Sequence, residues 1–208
     1  IIHQEALCAK AASLPDVMSV VVKSVNSILA RSLNHRQFQA LLEEAEATYG
    51  DLLYFCEVRW LSRGNMLSRV WDLRTEILTF LQQKNLPFAE EFSNPLWLGK
   101  LALLADVTQE LNGLNKKLQG KDCLVTDMAA AVKAFDVKLR LWESQTEKKT
   151  MKTFVRMTTL KSEHVPWEEA LVVLKNLREQ FATRFKCLRD YEMDCRIMSS
   201  PCTLTVED

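Results

Sequence analysis

Apolar residues recur at alternating steps of three and four along most of this chain. Leu67, Val70, Trp71, Ile77, Leu78 and Leu81 fall on one helical face. Trp97, Leu101, Leu104, Leu111 and Leu118 line a second helix, and Leu124/Val125, Met128, Val132, Phe135, Leu139 and Trp142 a third. Trp167, Leu171, Leu174, Leu177, Phe181 and Leu188 form the stripe of a fourth. Start and stop signals frame these runs. Ser13-Leu14-Pro15-Asp16 predicts a helix to about Arg31, and Asn34-His35-Arg36-Gln37 one to about Thr48, ended by Gly50. Ser62 caps a helix to about Lys84, Asn94-Pro95 opens one that Gly120 ends, Asp122 opens the next, and Pro166 begins the last. Leu52-Leu53-Tyr54-Phe55-Cys56 instead has strand-like composition, and it runs into Arg59-Trp60. Long helices with this spacing predict an all-α antiparallel bundle. A coiled-coil dimer is less favoured, because short connections make neighbours within one chain.

Residues 144 to 163 break the pattern. They are polar and basic, with Lys148, Lys149, Lys152, Arg156 and Lys161, and they predict a mobile connector between two helices. The tail SSPCTLTVED reads as irregular. Glycine and proline are scarce, at five each, which agrees with helix.

Charge changes the picture more than composition does. The 208 residues carry 27 basic and 27 acidic side chains, for a formal net charge of zero. A compact module that binds DNA by itself carries a basic excess. Any nucleic-acid role here must use a local patch or a neighbouring module. The longest candidate membrane run, Val17 to Ala30, is broken by Lys23, Ser24 and Asn26. It falls short of the roughly 20 apolar residues a spanning helix needs. With Ile at position 1 and no signal-peptide pattern, a soluble piece of a longer chain is expected, with no membrane partner.

The visible chemistry is sparse. The six cysteines form no C-x-x-C, and His3, His35 and His164 are far apart, so neither metal nor cofactor is expected. Cys8, five residues after His3, is a weak hint of a site against the plainer reading of reduced thiols. No phosphate-cradling glycine loop, nucleophile elbow or H-E-x-x-H is present. Glu43-Glu44, Glu90-Glu91 and Glu168-Glu169 are adjacent in sequence and do not converge on one point of a helix. No catalytic residue is assigned, and no enzyme is expected.

Four stretches, "IIHQEALCAK", "EVRWLSRGNMLSRVWDLRTEILTFLQQK", "ADVTQELNGLNKKLQGK" and "AFDVKLRLWE", resemble consecutive landmarks of hAT-type DNA transposases. The chain is most similar to the Charlie/Buster-like copies domesticated in vertebrate genomes, which occur in zinc-finger BED-type and general transcription factor II-I repeat proteins. The resemblance implies a helical insertion domain within an RNase H-like core whose three carboxylates bind divalent metal. None of the three matches a residue here, and His3 falls on the His of the family's C-x-x-H motif. The implied organisation is N-terminal helices over 1–50, a strand and Arg-Trp junction over 51–62, a helical insertion domain over 63–198 and an irregular tail over 199–208. Residues near 51–60 would be a short remnant of the sheet.

Arg59-Trp60 falls on the family's RW pair. In active relatives the Trp is implied to stack on a flipped base, worth roughly 1–3 kcal/mol. A Trp at a strand-to-helix junction also serves as core, and both roles stay open for Trp60. Trp71, Trp97, Trp142 and Trp167 fit helix stripes and are expected in the core. The candidate nucleic-acid contacts are therefore Arg59, Trp60, Lys148, Lys149, Lys152 and Arg156. The expected function is a catalytically inactive, nuclear, DNA-associated or protein-interaction domain, with weak DNA contact through a neighbouring module and with protein partners. The alternative is a helical protein-protein scaffold with no DNA role. A BED-type zinc finger upstream would favour the first.

Overall fold

The computed structural model describes residues 14–55, 60–120, 124–150 and 152–186, and of residues 60 and 61 the backbone alone. Arg59, His3 and all six cysteines lie outside the described residues. Eight α-helices run through these residues: α1 Pro15–Leu29, α2 Ser32–Glu44, α3 Trp60–Asp72, α4 Arg74–Gln83, α5 Ala89–Ser93, α6 Pro95–Leu118, α7 Val125–Glu147 and α8 Trp167–Arg184. Two 3-10 turns, Met157–Thr159 and Ser162–His164, sit between α7 and α8. The described residues contain no strand.

The bundle is organised around α6. Helices α1, α3, α5 and α7 and both 3-10 turns pack on it. Residues 101 to 108 are all buried, including Ala102, Leu103, Ala105 and Val107, which lie off the single apolar stripe of the sequence. A helix covered on every side needs small and apolar residues all round, and Leu-Ala-Leu-Leu-Ala supplies them. Its start is set locally, because the Asn94 carboxamide oxygen accepts the amides of Leu96 (3.0 Å) and Trp97 (3.4 Å), and Pro95 occupies the first turn.

A second layer closes over α7. Val132, Phe135, Leu139, Trp142 and Thr146 repeat at three and four and are buried, and α8 answers with Ala170, Val173, Leu174, Leu177 and Phe181. Arg178 pairs with the largely buried Glu143 at 2.7 Å across this seam. Trp71 and Trp142 are core, as the stripes predict, whereas Trp97 and Trp167 are half-buried. Trp97 packs on Phe92, with ring centroids 4.9 Å apart, and the Trp167 indole N–H donates to the Ser162 carbonyl at 3.0 Å.

Several boundaries differ from expectation. The helix foreseen from Ser62 to Lys84 starts at Trp60 and breaks at Leu73 into α3 and α4. Asn34 does not cap α2; its carboxamide donates to the Ser27 carbonyl at 3.2 Å and stitches the α1–α2 turn. Ser13 lies outside the described residues. Leu52 to Phe55 form neither helix nor strand, because a strand needs a neighbour to accept its ladder and the described residues offer none.

Two glycines of α6 make a matched test. A Cβ on Gly99 would overlap the His164 carbonyl oxygen and meet Pro166 Cδ at 3.0 Å, whereas one on Gly113 meets nothing within 4 Å. Gly99→Ala should therefore destabilise by about 1–3 kcal/mol through overpacking against backbone. Gly113→Ala should stabilise by roughly 0.5–1 kcal/mol through helix propensity. Urea unfolding of the two variants should move in opposite directions. Equal shifts would show that the 162–166 segment does not seat on α6.

Candidate nucleic-acid interface

The segment before α3 is held at three points. Asp51 carries the first, its carboxylate meeting His35 Nε2 at 2.7 Å, accepting from Gln39 Nε2 at 3.0 Å and from the Leu52 amide at 2.7 Å. Arg69 of α3 makes the second. Its guanidinium lies over the Tyr49 ring, 4.3 Å from the centroid, and donates to the Asp51 carbonyl at 3.2 Å. The Tyr54 hydroxyl makes the third, donating to the Leu29 carbonyl at 3.0 Å. The run read as strand is thus an ordered loop anchored to α1, α2 and α3.

The basic stretch after α7 is anchored as well, and here the structure corrects the expectation of a mobile connector. Phe154 and Met157 are buried at 1% and 2% exposure. Phe154 packs on Trp142 with centroids 4.7 Å apart, and Thr153 donates to the Gln145 side chain at 2.8 Å. Most of the hold comes from Asp106 of α6. One carboxylate oxygen accepts the backbone amides of Arg156 (3.0 Å) and Met157 (3.1 Å), and the other takes the Arg156 guanidinium at 3.0 Å. Burial pushes the Asp106 carboxyl above its ordinary range, while the Arg156 guanidinium and the two amides pull it back. A buried carboxylate with these partners is a fastening and not a free acid.

These two anchored loops and α3 bound one cleft of about 590 Å³. Tyr49 and Leu53 come from the first loop, Asn65, Ser68, Arg69 and Asp72 from α3, and Val155, Arg156 and Thr159 from the second. Asn65 of α3 and Arg156 of the basic stretch, some 90 residues apart in sequence, both line this cleft. Position 60 lies on the helical line of Gly64, Leu67 and Trp71.

The candidates divide as follows. Lys148, Lys149 and Lys152 are exposed, and none makes an ion pair among the described residues. Lys152 precedes the cleft residue Val155 by three residues, so it stands within about 11 Å of it by chain reach. Arg156 has 17% side-chain exposure and its guanidinium lies on Asp106, so it holds the loop. Arg59 and the Trp60 side chain lie outside the described residues. Sequence reasoning passed over Asp106, Arg69 and Tyr49. The one legible signal was an aspartate inside the apolar run Leu-Ala-Leu-Leu-Ala-Asp-Val. Among the described residues no three His, Cys, Asp or Glu side chains gather where they could hold a metal ion, and no helix is long and apolar enough to cross a membrane.

Residues 1–147 match the FAM200/GTF2IRD2 helical domain, the FAM200-GTF2IRD2-like family. Over 207 residues the chain is 36% identical to "General transcription factor II-I repeat domain-containing protein 2" of Bos taurus and 34% identical to the protein of that name from Mus musculus. The match takes in 100% of this chain but 22% of each of those proteins, so the chain spans about a fifth of the length of these relatives. No solved structure matches.

Proposed function

Because the chain belongs to the FAM200/GTF2IRD2 helical-domain family, we propose that it is a non-catalytic association domain of a transposase-derived, hAT-type nuclear protein. In this reading the bundle holds the basic loop after α7 against DNA that another part of the longer protein selects. The relatives' printed name, a general transcription factor II-I repeat protein, supports the nuclear placement. Residues near 51–60 would complete an RNase H-like sheet supplied by chain outside these residues, which fits the lack of helix and of a ladder partner over the described part, residues 51–55. The observation that carries the reading is the Asp106–Arg156 fastening. It occupies the most buried carboxylate of α6 with loop anchoring, and so fixes the frame from which Lys148, Lys149 and Lys152 project.

The test is DNA binding by the purified chain at graded salt. Three lysines on phosphates give a log–log salt slope no steeper than about −2.7, at roughly −0.9 per neutralised phosphate. Lys148→Ala/Lys149→Ala/Lys152→Ala should remove most of the affinity and flatten the slope. Binding that ignores salt, or that survives the triple substitution, would contradict the reading. So would metal-dependent nicking abolished by changing a carboxylate of this chain. A second reading, a protein-protein scaffold without DNA contact, is favoured by the zero net charge. It predicts no DNA binding even at low salt.

A further inference from the structure

Seven hydroxyl side chains lie in the basic stretch 144–163, and the fold sets one of them apart. Ser144 and Thr146 belong to α7, where Thr146 is buried. Thr153 is half-buried and donates to the Gln145 side chain at 2.8 Å. Thr158 and Thr159 are exposed, but each hydroxyl donates at 2.7 Å to the carbonyl three residues back, in a 3-10 turn. Ser162 is exposed between Lys161 and Glu163, in the turn whose His164 carbonyl seats against Gly99. Thr150 differs from all six. It is exposed and follows the end of α7, and its hydroxyl reaches the Gln145 carbonyl only at 3.5 Å. That is past the roughly 3.0 Å limit of a good O–H···O bond, so the oxygen is available for chemistry.

Its surroundings select that chemistry. Lys149, at φ 52°, turns the chain out of α7, and the Thr150 amide closes the turn on the Gln145 carbonyl at 2.8 Å. Thr150 thus stands between a helix end, where bonds fray, and Phe154, the first buried anchor of the loop. Reaching it opens one terminal turn and leaves the Asp106 fastening in place. Lys148, Lys149 and Lys152 are one or two residues away, within about 7 Å between Cα atoms by chain reach. None of them makes an ion pair among the described residues. The nearest carboxylate along the chain, Glu147, is turned to Lys175 at 3.6 Å. A phosphate on Thr150 carries about −1.5 to −2 charge at neutral pH. It cancels half or more of the three lysine charges, and the lysines supply the charge-assisted hydrogen bonds it needs.

We infer that Thr150 is a phosphorylation site for a protein kinase that reads basic residues on both sides of its acceptor, and that the phosphate switches the lysine surface off. The kinase supplies Mg-ATP and a catalytic carboxylate. The Thr150 hydroxyl oxygen attacks the γ-phosphorus as the bond from that phosphorus to the β–γ bridging oxygen breaks. ADP leaves with the electron pair, and the hydroxyl proton passes to the carboxylate. The switch rests on reading the lysines as a DNA contact, whereas the site itself does not.

The whole chain is incubated with the catalytic domain of protein kinase C and Mg-ATP, and the product is mapped by tandem mass spectrometry. Thr150 should carry the phosphate, and Thr150→Val should take none at that position while binding DNA as the parent does. Lys148→Ala/Lys149→Ala/Lys152→Ala should lose the modification, because the kinase then has no charge pattern to read. The phosphorylated chain should bind DNA roughly tenfold or more weakly, with the log–log salt slope flattened to about −0.9, the value for one remaining phosphate contact. No phosphate, or phosphate on Thr158, Thr159 or Ser162 with Thr150 untouched, would overturn the site. Unchanged DNA binding by the chain phosphorylated on Thr150 would overturn the switch. Absence of DNA binding by the unmodified chain would overturn the DNA reading and the switch together, and the map alone would then judge the site.

Discussion

Arg156→Ala should destabilise the chain by about 3–5 kcal/mol, the cost of leaving one member of a buried ion pair without the other. Asp106 is 4% exposed on its side chain and loses the guanidinium at 3.0 Å, keeping two backbone amides as its partners. The effect should depend on pH, with a sign fixed by the direction of the shift. Burial already holds the Asp106 carboxyl above its ordinary range, so the folded chain binds that proton more tightly than the unfolded chain. Stability attributable to this group therefore falls as pH rises through the window above the usual carboxylate value. Removing Arg156 takes away a force pulling the other way and widens that window. Guanidinium unfolding should show a smaller deficit near about pH 4 than at neutral pH. A pH-independent deficit under about 0.5 kcal/mol, the size of a surface change, would mean the pair is not buried.

Trp142→Ala should cost a similar amount, about 3–5 kcal/mol, the usual range for removing a buried large aromatic side chain. Trp142 has 0% exposure and joins three parts of the fold: its ring meets Phe135 on its own helix at 5.7 Å and Phe154 of the basic loop at 4.7 Å, and α8 covers the same seam through Phe181, which packs on Phe135 at 5.2 Å. Its indole N–H has no hydrogen-bond partner among the described residues. Trp142→Phe therefore removes a buried donor that itself costs roughly 1–3 kcal/mol, which offsets much of the lost volume. The Phe variant should unfold less than about 1.5 kcal/mol below the parent. If Ala and Phe destabilise equally, the indole N–H is satisfied in solution.

The sequence was most legible where one short-range rule acted alone. Asn94-Pro95 marks the start of α6 because cap and proline satisfy the same free amides, whatever packs nearby. The α7 and α8 stripes were visible because each helix buries one face. Helix α6 was only partly legible: a helix buried all round has no polar face to contrast with, so Ala102, Leu103 and Ala105 carry no periodic signal. The basic loop was misjudged for a related reason. Its order comes from Asp106, 50 residues away, and from Phe154 and Met157, two apolar anchors too few to make a period. The cleft was hidden in the same way, since Tyr49, Arg69 and Val155 meet only once α3 and both loops lie on α6. The resemblance reached the general transcription factor II-I repeat proteins through ordered landmarks, and said nothing of these contacts.

Everything proposed for the basic loop requires that it be a fixed surface and not a tether. Native-state hydrogen exchange on the amides of Arg156 and Met157, the two that donate to Asp106, measures this directly. In the parent chain they should be protected to within about tenfold of the α6 amides, and Arg156→Ala should release both while α6 stays protected. Exchange of these amides in the parent at the rate of an unstructured loop would contradict the fastening and, with it, the fixed frame for Lys148, Lys149 and Lys152.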